Sequence, residues 1–265
     1  MIVAAYRILY GHEFLAPSLL SVAGHVDAIY ISWREIPWQA ARGVVNWGAA
    51  ILDAAKAANQ RARSVVTAMA STLPIRELPL SVTSRSDTDI PLMVSSIHAN
   101  CPAVDKVLFV EPDEVWRDKP LMRALDLAQS GCNVLVRRRD YWRSINHWID
   151  PPNPHWSLKA VGVSDGRIPQ RCAFDGAELR AKRILLPSPL AHFAYAQSPL
   201  TVQLKHAVCQ WLESTPQHAD WYDRVWLPWT WERGPWKNLC PVMGREDALA
   251  EVTRADLGEL PEVMR

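Results

Sequence analysis

The sequence predicts an α/β fold with a mostly parallel central sheet flanked by helices, and three observations lead there. Short apolar runs alternate with amphipathic stretches through the first half of the chain. One of those runs, "KVLFV" at 106–110, is apolar without a break, as a strand buried on both faces should be. From about residue 141 the pattern gives way to Pro, Gly, Trp and Arg with brief apolar runs, which predicts irregular structure, a few antiparallel strands and a Trp-rich C-terminal part.

Taken in order, "MIVAAY" reads as the first strand, "HEFLAPSLLSVAG" as a helix made less regular by Pro17, and "DAIYIS" as the second strand. In "GVVNWGAAILDAAKAANQ", Val44, Trp47, Ile51, Ala55 and Ala58 recur at helical spacing while Asp53, Lys56 and Asn59 point away. "SVVTAMA" is then expected as the third strand. A polar loop leads to a helix from about Pro91 to Asn100, and "KVLFV" follows as the fourth strand. "LMRALDLAQSG" and "NVLVRR" add a helix and a strand. Near the C-terminus "QSPLTVQLKHAVCQWLE" predicts a helix with Ser198 as N-cap and Pro199 at its first position.

Composition narrows the function. With 29 basic and 28 acidic side chains the net charge is +1, so no bulk attraction to nucleic acid or an anionic membrane exists and a polyanion partner would need a local patch. Arg7, His12 and Glu13 come too early for a secretory signal, and no transmembrane run of about 18 apolar residues follows. The five cysteines are an odd number without a CxxC pair, as expected of free thiols in a cytoplasmic protein rather than of a disulfide framework or a cysteine zinc site. The absence of G-x-x-x-x-G-K, G-x-G-x-x-G and G-x-S-x-G argues against P-loop, dinucleotide-binding and α/β-hydrolase chemistry.

The fourth strand ends in "EPDE". In open α/β sheets ligands bind beyond the carboxyl ends of the strands, where Glu111, Asp113 and Glu114 stand. Pro112 discourages helix, and in an extended chain Glu111 and Asp113 would face the same side. Such a pair suits a hard divalent cation that neutralises a diphosphate; a solvated acidic loop is the plainer reading.

"LFVEPDEVW" resembles the aspartate-any-aspartate region of nucleotide-sugar-dependent glycosyltransferases of the GT-A fold, family 2-like. "YGHEFLAPSLLSVAGHVDAIYI" is similar to that family's first strand, helix and second strand, and "HFAYAQSPLTVQLKH" to its C-terminal histidine, aromatic and lysine segment. The resemblance implies one GT-A-like domain, with a nucleotide-sugar-binding half over 1–140 and an acceptor-side part over 141–265. It implies Mn²⁺ or Mg²⁺ held by Glu111, Asp113 and His192, a nucleotide-diphospho-sugar donor touched by Tyr6, Ser32, Glu35 and Arg137, and a saccharide or other hydroxyl-bearing acceptor. The family's aspartate and serine-rich loop after strand two is replaced here by "SWREIPW", which leaves Ser32 and Glu35 as the polar substitutes. In "FDGAELRAKR" Asp175 and Glu178 are the candidates for the catalytic base, without the usual acidic pair; a surface turn is the other reading.

Three further features keep two readings each. His192 sits in an apolar setting that suits a hydrogen-bonded core histidine as well as a ligand. Arg137, Arg138, Arg139 and Arg143 form either a solvated run or a phosphate-binding patch, and the second would allow hydroxymethylated DNA as acceptor. Of 13 tryptophans, six fall between Trp211 and Trp236, as a C-terminal core or as a stacking platform for sugar or base.

Overall fold

A computed structural model of the chain describes residues 1–34, 48–78, 86–129, 132–152, 156–163, 182–213, 220–235, 239 and 251–265. The strands are β1 (Ile2–Ile8), β2 (Ala28–Trp33), β3 (Ile75–Glu77), β4 (Lys106–Val110), β5 (Glu114–Val115), β6 (Cys132–Trp142), β7 (His147–Asp150), β8 (Trp156–Gly162), β9 (Lys182–Tyr195) and β10 (Glu251–Arg254). The helices are α1 (His12–Ala23), α2 (Ala49–Met69), α3 (Ser86–Asn100), α4 (Asp118–Leu127) and α5 (Pro199–Glu213).

The expected α/β architecture with a mostly parallel sheet is present. β3, β2, β1 and β4 lie side by side and parallel; β8 then runs the other way, and β6 and β9 return to the common direction. β7 and β10 extend the sheet antiparallel beside β6. Side chains alternate across β1: Ala4, Tyr6 and Ile8 pack against Leu15 and Leu19 of α1, Ala62 and Val66 of α2 and Leu121 of α4, while Val3 and Ala5 pack against Met93, Val94 and Ile97 of α3. The sheet is therefore covered on both faces, and its parallel strands can be apolar throughout.

Two expectations fail in an instructive way. "SVVTAMA" is the last part of α2, not a strand: Ala55, Ala58, Ala62 and Val66 form one buried stripe, joined against expectation by Asn59, whose Nδ2 donates to the Arg34 carbonyl at 2.7 Å, so the valines continue a helical period begun before them. The third strand is the short "IRE" that follows. α3 begins at Ser86, five residues ahead of the start expected at Pro91.

The C-terminal part packs around tryptophan. Trp142, Trp221, Trp226 and Trp229 are buried together with Tyr222, Leu239 and Val252. Three of the indoles donate to carbonyls: Trp221 to Leu239 at 2.8 Å, Trp226 to Tyr195 at 3.0 Å and Trp229 to Pro235 at 2.8 Å. For these residues the core reading holds.

Candidate functional site

The chain leaves β4 at Val110 and turns at once. The Glu114 amide donates to the Glu111 carbonyl at 3.0 Å, so "EPDE" is a turn rather than the extended stretch expected. Pro112 stands at its second position, where the fixed φ of proline favours a turn. Helix α1 braces the turn from below: Ser18 Oγ lies 3.4 Å from the Glu111 carbonyl, and Ser21 Oγ accepts the Trp116 amide at 3.1 Å. Gly11, just before α1, has φ +92°, and a Cβ there would stand 3.1 Å from Pro112 Cγ. That position needs glycine both for its left-handed backbone and for the close approach.

The three acids of the turn have different surroundings. Glu114 is fully buried, and both its carboxylate oxygens meet Lys159 Nζ of β8, at 2.5 and 2.7 Å; one of them also accepts the Glu111 amide at 3.0 Å. Asp113, 2% exposed, accepts through Oδ2 from Gln197 Nε2 at 2.7 Å and from Lys205 Nζ of α5 at 2.9 Å. Glu111 is the accessible one, with Arg138 Nη1 at 3.8 Å from its Oε2. Burial raises the Asp113 carboxyl, but Lys205 and His192 overcome it and hold the group well below the usual range. At the Glu111 carboxyl, partial desolvation by its neighbours raises the pKa, but Lys159 and Arg138 outweigh it and bring it down to about 2.

His192 reaches this turn through strand pairing. β9 lies between β5 and β6, with His192 opposite both Glu114 and Asp140. Its Nδ1 meets Asp140 Oδ1 at 2.5 Å, while Nε2 is buried without a hydrogen bond and faces Asp113 Oδ1 at 3.5 Å and Glu111 Oε2 at 3.9 Å. Burial and the charge of Arg138 press the imidazole pKa down, yet Asp113 and Asp140 prevail and raise it. A histidine oriented by a carboxylate through one nitrogen, with the other turned toward two carboxylates, is a donor set that could hold a divalent cation. Ligand atoms of Glu111, Glu114 and His192 all lie within 4.8 Å of one another. Both acids are already engaged: Lys159 meets both oxygens of Glu114, and Gln197 and Lys205 share Oδ2 of Asp113, whose Oδ1 faces His192.

No protein-family model and no curated protein matches the sequence. Among solved structures, the chain is similar to a crystal structure of S. aureus TarS 1-349, at 9% identity and a TM-score of 0.38 over 83% of this chain and 68% of that one. A likeness this slight says nothing about chemistry.

The structure thus brings Glu111, Asp113 and His192 together and leaves the other described candidates elsewhere. Tyr6 is fully buried in the core, its hydroxyl 3.1 Å from Ser18 Oγ, so it tightens β1 against α1 rather than facing a ligand. Ser32 is also buried, near the end of β2. Arg137 lays its guanidinium over Trp156, 4.8 Å from the ring centre. The arginine run is divided among internal partners: Arg138 faces Glu111, Arg139 pairs with Glu259 at 2.6 Å, and Arg143 covers Trp226 at 4.1 Å. Glu35, Asp175 and Glu178 lie outside the described residues.

Sequence reasoning missed Asp140, Lys159, Gln197 and the contact of Lys205 with Asp113. Asp140 closes an arginine run and Lys159 sits in an apolar strand, which are weak signals alone. Only the pairing of β9 with β6 and of β8 with β4 gives them partners.

Proposed function

We propose that the chain is a glycosyltransferase that moves a sugar from a nucleotide-diphospho-sugar to an acceptor hydroxyl with the help of Mn²⁺ or Mg²⁺. The observation that carries this reading is the buried Nε2 of His192 turned toward Asp113 Oδ1 at 3.5 Å and Glu111 Oε2 at 3.9 Å beyond the carboxyl end of β4. Glu111, Asp113 and His192 would hold the cation, which when bound supplies positive charge against the diphosphate leaving group. Asp140 fixes the tautomer and direction of His192, and Glu114, tied to Lys159, fixes the turn. Arg138 adds charge next to Glu111, the accessible side of the site. Asp175 and Glu178 remain the candidates for taking the acceptor proton.

Donor hydrolysis tests the reading. The protein is incubated with a panel of nucleotide sugars with and without Mn²⁺, beside Asp113→Asn. Metal-dependent release of sugar that falls at least a hundred-fold in the variant is the expected result. A variant that turns over at the wild-type rate with the same metal dependence would remove Asp113 from the site.

A second reading, a nucleotide- or glycan-binding module without transfer, draws on the cations already seated on Asp113 and Glu114. Binding of a nucleotide sugar without any turnover would favour it. DNA as acceptor gains no such support, since Arg138, Arg139 and Arg143 are engaged within the protein.

A further inference from the structure

Asp113 is a buried carboxylate with donors on both sides. Lys205 and Gln197 share Oδ2, and His192 Nε2 stands 3.5 Å from Oδ1. Around it, Glu111 faces Arg138, Glu114 holds Lys159 and Asp140 holds His192 through Nδ1. Among the described residues, three fixed cations, Lys159, Arg138 and Lys205, therefore stand against the acids before any ligand arrives. A divalent cation added here would bring two positive charges next to these cations, with the Lys205 ammonium in hydrogen-bond contact with one of its ligands.

We propose that Lys205 is the built-in counter-cation of Asp113, that a divalent cation engaging both oxygens of Asp113 displaces it from Oδ2, and that the displaced ammonium is taken up by the donor's diphosphate. The inference rests on the metal reading of the site given above. Among the three fixed cations Lys205 is the one suited to the exchange. Lys159 is 4% exposed at the side chain and sits against a carboxylate with no exposure at all, so it has nowhere to go. Arg138 is 3.8 Å from Glu111, the accessible acid, and blocks neither oxygen of Asp113. Lys205 holds Asp113 directly, its side chain is 17% exposed, and its flexible stem can swing without moving the helix. The helix itself is pinned: Glu13 Oε1 accepts from Ser198 Oγ at 2.5 Å and from Thr201 Oγ1 at 2.6 Å at the start of α5. The metal alone would then bind weakly, and a diphosphate would restore the balance by giving Lys205 a new partner.

Titration calorimetry of the full chain with Mn²⁺ alone tests the displacement, using wild type, Lys205→Met, Lys205→Gln, Lys205→Arg and Asp113→Asn. Both neutral variants should bind Mn²⁺ at least ten-fold more tightly than wild type, Lys205→Arg should not, and Asp113→Asn should bind it least. In thermal melting without metal the Lys205→Met protein should unfold at a lower temperature than wild type and gain more from Mn²⁺. Lys205→Gln keeps a donor near Oδ2 and serves if the methionine variant does not fold. Inorganic pyrophosphate should then strengthen Mn²⁺ uptake more in wild type than in either neutral variant; equal strengthening would overturn the hand-over to the diphosphate. Tight Mn²⁺ binding that is lost in Asp113→Asn but unchanged in both neutral variants would overturn the displacement and leave the metal site standing. No Mn²⁺ binding by any of the proteins would overturn the metal site and this inference together.

Discussion

Lys159 Nζ spans both carboxylate oxygens of Glu114, at 2.5 and 2.7 Å, with neither side chain in contact with solvent to any useful degree. The pair joins β8 to the turn after β4 and so fixes the base on which Glu111 and Asp113 stand. An acid that looks like part of a ligand set is therefore a structural one.

Breaking that pair from one side leaves a buried charge without a partner. Glu114→Gln is expected to cost about 3–5 kcal/mol, while Glu114→Leu combined with Lys159→Met should recover much of the loss, since two apolar side chains of similar size leave no charge to desolvate. Denaturant unfolding of the single and double variants measures it. A single-variant cost under about 1 kcal/mol would show that the pair is not what holds the turn.

The metal-free protein should have a pH optimum for stability set by His192 and the acids facing it. The His192 pKa is raised in the folded state, so its contribution is fully present below its ordinary value of 6.5 and is lost as pH rises through the folded value. The Asp113 and Glu111 pKa values are lowered, so theirs is present above the ordinary carboxylate range and lost as pH falls through the folded values. Melting temperatures followed from about pH 3 to about pH 9 should fall on both sides of a maximum between the two ranges. His192→Gln should flatten the alkaline limb; an unchanged limb would mean another group produces it.

Gly11→Ala combines a strained backbone with a contact against Pro112. The left-handed conformation costs a residue with a Cβ about 1–2 kcal/mol, and a Cβ 3.1 Å from Pro112 Cγ must push the acidic turn as well. The expected outcome is a melting temperature lower by about 2–8 °C. Mn²⁺ affinity should fall too, whereas Gly24→Ala, where a Cβ would meet nothing within 4 Å, should change neither.

The sequence by itself determined the order of β and α segments at the start of the chain, the buried fourth strand, and the cap of α5, where the Thr201 amide meets Ser198 Oγ at 3.4 Å. These rest on local periodicity and on residues next to one another, which a chain carries in its letters. The same local signal misread "SVVTAMA", because two adjacent valines suit a strand and only the buried stripe of the preceding residues keeps them helical. It also pointed to Glu111, Asp113 and His192, though not to which acid would be free to act. That was decided by tertiary structure: β8 delivers Lys159 to Glu114, α5 delivers Lys205 to Asp113, and β9 sets His192 opposite both Glu114 and Asp140. Each partner comes from a strand or helix 45 to 92 residues away, and no spacing along the chain encodes a pairing that only sheet register creates.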